Sequence, residues 1–483
     1  MLRRSTVWQL SAALLPTLAA VPLAAQKAPG APTTLSPAQE QARAIYKELV
    51  EINTADSVGS VTKAAEAMAA RFRAAGFPAS DITIAGPANA PAKQNLVVRY
   101  RGKGNGKPIL LLAHIDVVAA LRSDWPRDPF TMVEQDGFFL GRGVADDKSM
   151  ASMFVANVIR YKQEGWVPER DLIVALTADE EGGGSNGVSW LLANRKDLVD
   201  AEYAINEGGG GTLVNDKPFF HSIQAAEKVP VNYTLTVLNT GGHSSVPRPD
   251  NAIYSLANAL QKVQQYTFPV ELNDVSRPFF AQTAKVETGA MAAAMKAIVA
   301  NPKDTKAAAT ISKDMRYSSM LRTSCVATRL AGGHADNALP QTATANVNCR
   351  VAPTSTGADV MAMLNKVIGD TAVRITMRGG DRLNAGGKPS PINPTLLSAT
   401  TQLTKQMFND VPVIPTMSTG ATDGRFLRGA GIPTYGVSGI FSASGETNAH
   451  GRDEKLRVKS YYDGLEFLYQ LVKIVAGPSK PIS

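Results

Sequence analysis

Three short apolar runs, each ending at or just before a histidine or an acid, constrain this chain more than any other feature. Pro108 to Ala113 (PILLLA) leads straight into His114, Leu172 to Thr177 precedes Glu180-Glu181, and Tyr203 to Asn206 precedes Glu207. A run apolar at every position suits a strand buried on both faces, because a strand with one wet face alternates. Helical patterns separate the runs. Ala151, Phe154, Val155, Val158 and Ile159 mark one apolar stripe between Lys148 and Tyr161, and a second helix is expected around Val188 to Asn194. Upstream, Ala42, Ile45, Leu49 and Ile52 recur at helical spacing, and Val61 to Ala75 ends at Gly76 in a cap position. Buried strands alternating with helices predict an α/β fold, its sheet covered by helices on both faces.

The pattern changes near Val229. Val231, Tyr233, Leu235 and Val237 alternate with polar residues, as in a half-exposed strand. A helix from about Asn251 to Gln264, an Ala/Met/Lys-rich helical stretch around Ala290 to Met315, and two alternating strands flanking Gly332 to Pro340 follow. The turn-rich segment Gly379 to Pro394 closes this unit, after which helix and strand patterns resume. The expected division is a signal peptide at 1–25, a linker at 26–37, a first α/β part at 38–228, an α+β unit at 229–382 and a second α/β part at 383–483.

The N-terminus carries Arg3-Arg4, an apolar run from about Val7 to Ala20 and small residues at Ala24-Ala25, the order of a signal peptide. That run is too short to span a bilayer, so export to the periplasm or the medium is expected, without stable membrane insertion after cleavage. The net charge of +8 is spread along the chain with no basic helix, which argues against nucleic-acid binding. Only Cys325 and Cys349 are present, which excludes a cysteine-rich metal module.

The chemistry-bearing residues sit where open α/β sheets place ligands, at the carboxyl ends of strands or the starts of helices. They are His114 and Asp116, Asp146-Asp147 before Lys148, the doublet Glu180-Glu181, Glu207, and His450 in a late Gly-rich loop. Each has a bland explanation: an incidental HxD, a helix-dipole acid, a surface carboxylate. Together they form an N/O donor set suited to divalent zinc. The doublet allows a division of labour, one glutamate on the metal and its neighbour free as general base.

The motifs LLLAHIDVV, GRGVADDKS, TADEEGG, NEGGG, TGGHSSVP, STGATDGRF and NAHGRDE occur in that order. In this the chain resembles the dinuclear-zinc family of glutamate carboxypeptidase, acetylornithine deacetylase, succinyl-diaminopimelate desuccinylase, aminoacylase and carnosinase, across nearly the whole mature chain. The resemblance implies a zinc-exopeptidase-like catalytic domain with a mixed sheet, an inserted lid or dimerisation domain, and hydrolysis of an amide bond in a small peptide or N-acyl amino acid. It implies two zinc ions per subunit, replaceable by cobalt or manganese: His114, Asp146 and Glu207 on one, Asp146, Glu181 and His450 on the other, Asp146 bridging. Glu180 is then the general base, and Asp116 orients His114. His243 in GGHSS matches a lid histidine that reaches the partner's site in a homodimer, its alternative being a turn histidine. Arg350 and Asn337 resemble lid residues that contact the substrate, with a strand-surface cation and a turn residue as the alternatives. The Ala/Met/Lys-rich stretch exceeds the shorter family pattern of the insert. His221 and His334 match no motif and are expected in loops or at the surface. Two other readings stay open, a single-domain zinc aminopeptidase and a non-catalytic binding protein on the same scaffold.

Cys325 and Cys349 fall on the two alternating strands, and the midpoint between them lies inside the reversal at Gly332 to Pro340. A regular hairpin sets them opposite one another as a disulfide, whereas a one-residue bulge turns them to opposite faces. Two buried free thiols are the alternative.

Overall fold

The structure, a computed structural model, describes residues 34–56, 58–182, 184–378 and 387–478. The expected signal peptide, most of the linker and the expected end of the insert at 382 lie outside the described residues. The first helix, Pro37–Glu51, starts at a capping box: the Ser36 hydroxyl accepts the Gln39 N–H, and the Gln39 side chain accepts the Ser36 N–H. It buries Ala42, Ile45, Tyr46 and Leu49.

A ten-stranded mixed sheet forms the body. At its centre Leu172–Thr177, Ile109–His114, Tyr203–Asn206 and Thr434–Gly436 run parallel, in that spatial order. Asn95–Tyr100 adds antiparallel to Leu172–Thr177. All six residues of Ile109–His114 and of Leu172–Thr177 are buried, as their continuous apolarity predicts. Alternate side chains divide between two cores. Ile109, Leu111 and Val174 join the helices Pro37–Glu51, Val61–Ala74, Lys148–Gln163 and Val458–Ala476. Leu110, Leu112 and Ile173 face Val188, Leu191 and Leu427 of the helices Gly187–Asn194 and Gly424–Gly429. The expected α/β class with helices on both faces is found.

A second sheet has the order Ser324–Gly332, Thr342–Val351, Val229–Leu238, Val373–Met377, all antiparallel. Val231, Tyr233, Leu235 and Val237 face the helices Ala252–Gln265 and Gly357–Ile368 in a core of their own. Helical segments between Ser276 and Leu321 lie inside the inserted stretch by sequence but not by packing. Phe279, Phe280, Met295, Ile298, Ile311 and Leu321 belong to the large core, and Ser276–Val286 packs on the strand Val413–Ser418. The chain therefore leaves the second core after Phe268 and returns to it at Ser324.

Cys325 and Cys349 form a disulfide, directly opposite in the register with Cα atoms 4.0 Å apart. A bulge does occur, between Ala327 and Arg329, yet the cysteines still meet because the hairpin beyond it is offset by one residue (Gly332 opposite Ala343).

Candidate metal centre

Five side chains, one from a strand end and four from separate loops, converge at the carboxyl ends of the parallel strands. His114 ends its strand, Glu207 follows Asn206, Asp146 precedes the helix Lys148–Gln163, Glu181 lies beyond Thr177, and His450 comes from the loop before the strand Lys455–Arg457. The His114 Nε2 lies 2.9 Å from Asp146 Oδ1 and 3.8 Å from Glu207 Oε1. The His450 Nε2 lies 3.2 Å from Asp146 Oδ2 and 2.7 Å from Glu181 Oε1. The two oxygens of Asp146 thus turn toward different histidines, and ligand atoms of His114, Asp146 and Glu181 fall within 4.8 Å of one another.

The electrostatics are those of a site short of positive charge. Burial pulls the His114 imidazole down, and Glu207, Asp116 and Asp146 more than offset it, holding the ring well above its ordinary value. Hydrogen bonds to Asp146 and Glu181 push His450 up to about 10. Burial raises the Glu180 carboxyl to about 9, helped by Asp423, Glu181 and Asp116 against the pull of His114. Burial likewise holds Glu207 well above the carboxylate range. Imidazole nitrogens and carboxylate oxygens crowded in this way suit divalent cations, whose charge would relieve the carboxylate repulsion. The residues present therefore fit divalent metal ions, and the two oxygens of Asp146 face the two histidines of the cluster.

The supporting contacts differ in one respect from expectation. The His114 Nδ1 is bonded at 3.1 Å to the main-chain carbonyl of Asp116, while the Asp116 carboxylate stands 3.6 Å away. That carboxylate instead accepts the N–H groups of Glu180 at 3.1 Å and Glu181 at 3.0 Å. Asp116 fixes the ring with its backbone and the glutamate doublet with its side chain. Two residues with no role assigned from sequence complete the frame. Buried Glu454 accepts the N–H groups of Gly143, Ala145 and Asp146 and pairs with Arg142, whose guanidinium also reaches the carbonyls of His450 and Gly451. Asp423 accepts from Thr177 Oγ1 at 2.9 Å and from Asn186 Nδ2 at 2.6 Å, one residue on either side of the loop that carries Glu180 and Glu181. Both acids stand inside the quoted motifs NAHGRDE and STGATDGRF, the only signal that marked them.

His243 and Asn337 come together on a small ribbon of the second unit, where His243 pairs with Ala338 and the Ser244 N–H donates to the Asn337 carbonyl. His243 is exposed, its Nδ1 2.7 Å from Ser245 Oγ. Arg350 lies at the far end of the strand Thr342–Val351, opposite Pro230 and Ser324, where burial and the nearby Arg425 lower its guanidinium. Among the described residues no hydrogen bond or ion pair links these three to the five-residue cluster. His334 is exposed, as expected. His221 is not at the surface: it is fully buried in the strand Lys217–Glu227, bonded to Thr404 Oγ1 at 2.7 Å and the Ser438 carbonyl at 2.5 Å, among Phe408, Phe441 and Phe467. Partners for both ring nitrogens make that burial tolerable.

The model of peptidase family M20/M25/M40 matches residues 110–474. The human N-fatty-acyl-amino acid synthase/hydrolase PM20D1 is 27% identical over 394 residues, 78% of this chain and 76% of that protein. A probable carboxypeptidase S-like 2 of Dictyostelium discoideum is 28% identical over 398 residues, covering 80% and 75%. Among solved structures, an M20 family metallo-carboxypeptidase of Sulfolobus solfataricus superposes with a TM-score of 0.67 at 18% identity, over 90% of this chain and 99% of that one. Human carnosine dipeptidase 1 gives 0.59 at 16%, over 90% and 97%.

Proposed function

The chain belongs to peptidase family M20/M25/M40 and is a metal-dependent hydrolase, and on that premise we propose that it cleaves an amide bond in a small peptide or an N-acyl amino acid, with Glu180 as general base. The observation that carries this reading is the orientation of Asp146, one oxygen toward His114 and the other toward His450, beside a Glu180 carboxyl that has no hydrogen bond or ion pair among the described residues. His114, Asp146 and Glu207 would hold one zinc ion, Asp146, Glu181 and His450 the second. When bound, such ions lower the pKa of water and polarise a carbonyl.

The chain's own residues do the rest. Glu180 takes the proton of the attacking water and returns it to the leaving amine. Asp116 and Asp423 keep the Glu180 loop in place. Substrates named for the relatives span fatty-acyl amino acids and dipeptides, and both classes present the amide this site would cleave.

Three finer assignments belong to the same proposal. A homodimer through the inserted unit is supported by exposed Ile253, Tyr254, Val326 and Leu330 on the helix Ala252–Gln265 and the edge strand Ser324–Gly332. His243 and Asn337 would then act on the partner's site, where His243 steadies the developing oxyanion, and Arg350 would receive a substrate carboxylate. Export is supported by the N-terminal sequence; among the described residues no helix is long and apolar enough to cross a membrane.

The test is purified full-length protein stripped with a chelator and reloaded with zinc, cobalt or manganese, then assayed on dipeptides and N-acyl amino acids. Turnover that returns with about two equivalents of metal supports the reading. Metal binding with no hydrolysis of any substrate in either class would overturn it.

A further inference from the structure

We propose that the cavity beside Asp146 and Glu207 selects a short, uncharged, hydrogen-bonding group on the substrate, such as a serine, threonine, asparagine or glutamine side chain, over a long apolar acyl chain. This rests on the reading that the neighbouring centre is hydrolytic. The cavity measures about 410 Å³, and its rim includes Asp146 and Glu207 themselves, so whatever fills it lies next to the reacting bond.

Its floor is Gly208 to Gly211. A Cβ at Gly211 would run into the Phe441 ring, one at Gly209 into the Gly436 carbonyl, and one at Gly208 into the Gln224 amide. The backbone therefore lies tight against the neighbouring strands, and no floor side chain fills the space.

The walls decide the chemistry. Thr212, Gln224, Thr416, Ser442 and Thr447 line the cavity, and among the described residues none of these side chains makes a hydrogen bond within the protein. Met150, Met417 and Ile440 add the apolar share. Among the described residues no lysine, arginine or histidine lines it, so no side chain there supplies a counter-charge to an anionic group; of the acids that line it, Asp146 and Glu207 are those assigned to the metal ions, and Asp147 is buried. A fatty chain would cover four hydroxyls and the Gln224 carboxamide without replacing their water, whereas a hydroxyl or carboxamide pairs with them. Sites built to hydrogen-bond a substrate group discriminate strongly against analogues that lack it.

The experiment uses the metal-loaded full chain and dipeptides in which each position in turn carries glutamine or its near-isostere methionine, together with N-acetyl- and N-palmitoyl-glutamine. At the position that fills the cavity, glutamine should exceed methionine in kcat/KM by about tenfold or more, and the acetyl substrate should exceed the palmitoyl one. In the near-isosteric double variant Thr416→Val with Thr447→Val, and separately in Ser442→Ala, the glutamine-to-methionine ratio should fall toward one. Preference for methionine at both positions, preference for the palmitoyl substrate, or a ratio unmoved by either set of substitutions overturns the inference. Hydrolysis of none of the series by metal-loaded protein would instead remove the hydrolytic reading beneath it.

Discussion

The Asp116 carboxylate holds the main-chain N–H of Glu180 at 3.1 Å, so the proposed base is positioned through its backbone while its side chain stays uncommitted. Glu180→Gln should therefore fold normally and keep its metal, yet lose about 10²- to 10⁴-fold in kcat. His114→Ala, Glu207→Ala and His450→Ala should lower metal content as well as rate. Elemental analysis beside steady-state kinetics separates the two classes; full occupancy in all three would remove the ligand assignment.

Asp423 braces both ends of the loop between Thr177 and Asn186. Asp423→Ala should cut kcat by about 10- to 100-fold, the usual cost of losing an outer support of a metal site, with KM changed little. A variant with unaltered kcat would show that the loop holds its own shape.

If His243 serves the partner's site, Glu180→Gln and His243→Ala homodimers are each nearly inactive, whereas their heterodimer contains one site with both groups intact. Random exchange of equal amounts should restore about a quarter of wild-type activity. Subunit exchange proven by mass, with no recovery, would assign His243 to its own ribbon.

Burial lowers the His221 imidazole to about 4, a change only partly opposed by the Ser438 carbonyl. Its folded pKa lies below its unfolded value, so the unfolded chain binds the extra proton. This contribution to stability is complete above the unfolded value near 6.5 and is lost as pH falls toward 4. The loss amounts to about 2 kcal/mol by about pH 5. Denaturant midpoints for wild type and His221→Gln should converge as the pH is lowered from about 8 to about 5; a constant gap would mean that His221 does not titrate in that interval.

His221 also marks the limit of what could be read from sequence. The strands that carry His114 and Glu207 announce themselves because burial on both faces requires apolar residues at every position. His221 is just as buried, but its strand is exposed or half-buried over Lys217 to Phe220, and its cover depends on Thr404, Ser438 and three phenylalanines distant in sequence, which no local pattern displays. The Asp116 case is similar. An HxD names the pair, while the loop geometry decides that the carbonyl takes the ring and the carboxylate takes the next loop. Glu454 and Asp423 were visible as letters in motifs but not as supports, since what they hold is main-chain N–H groups or the flanks of a loop.

The departure of residues 276–321 from the second core and their seating on the large one mean that the lid is written in two separate passages of the chain. Anyone exchanging lids between members of this family by moving 229–382 as a block would also move Phe279, Met295 and Ile298 out of the recipient's main core. A clean graft needs two cassettes, one ending near Phe268 and the other beginning near Ser324, with the native helices kept between them.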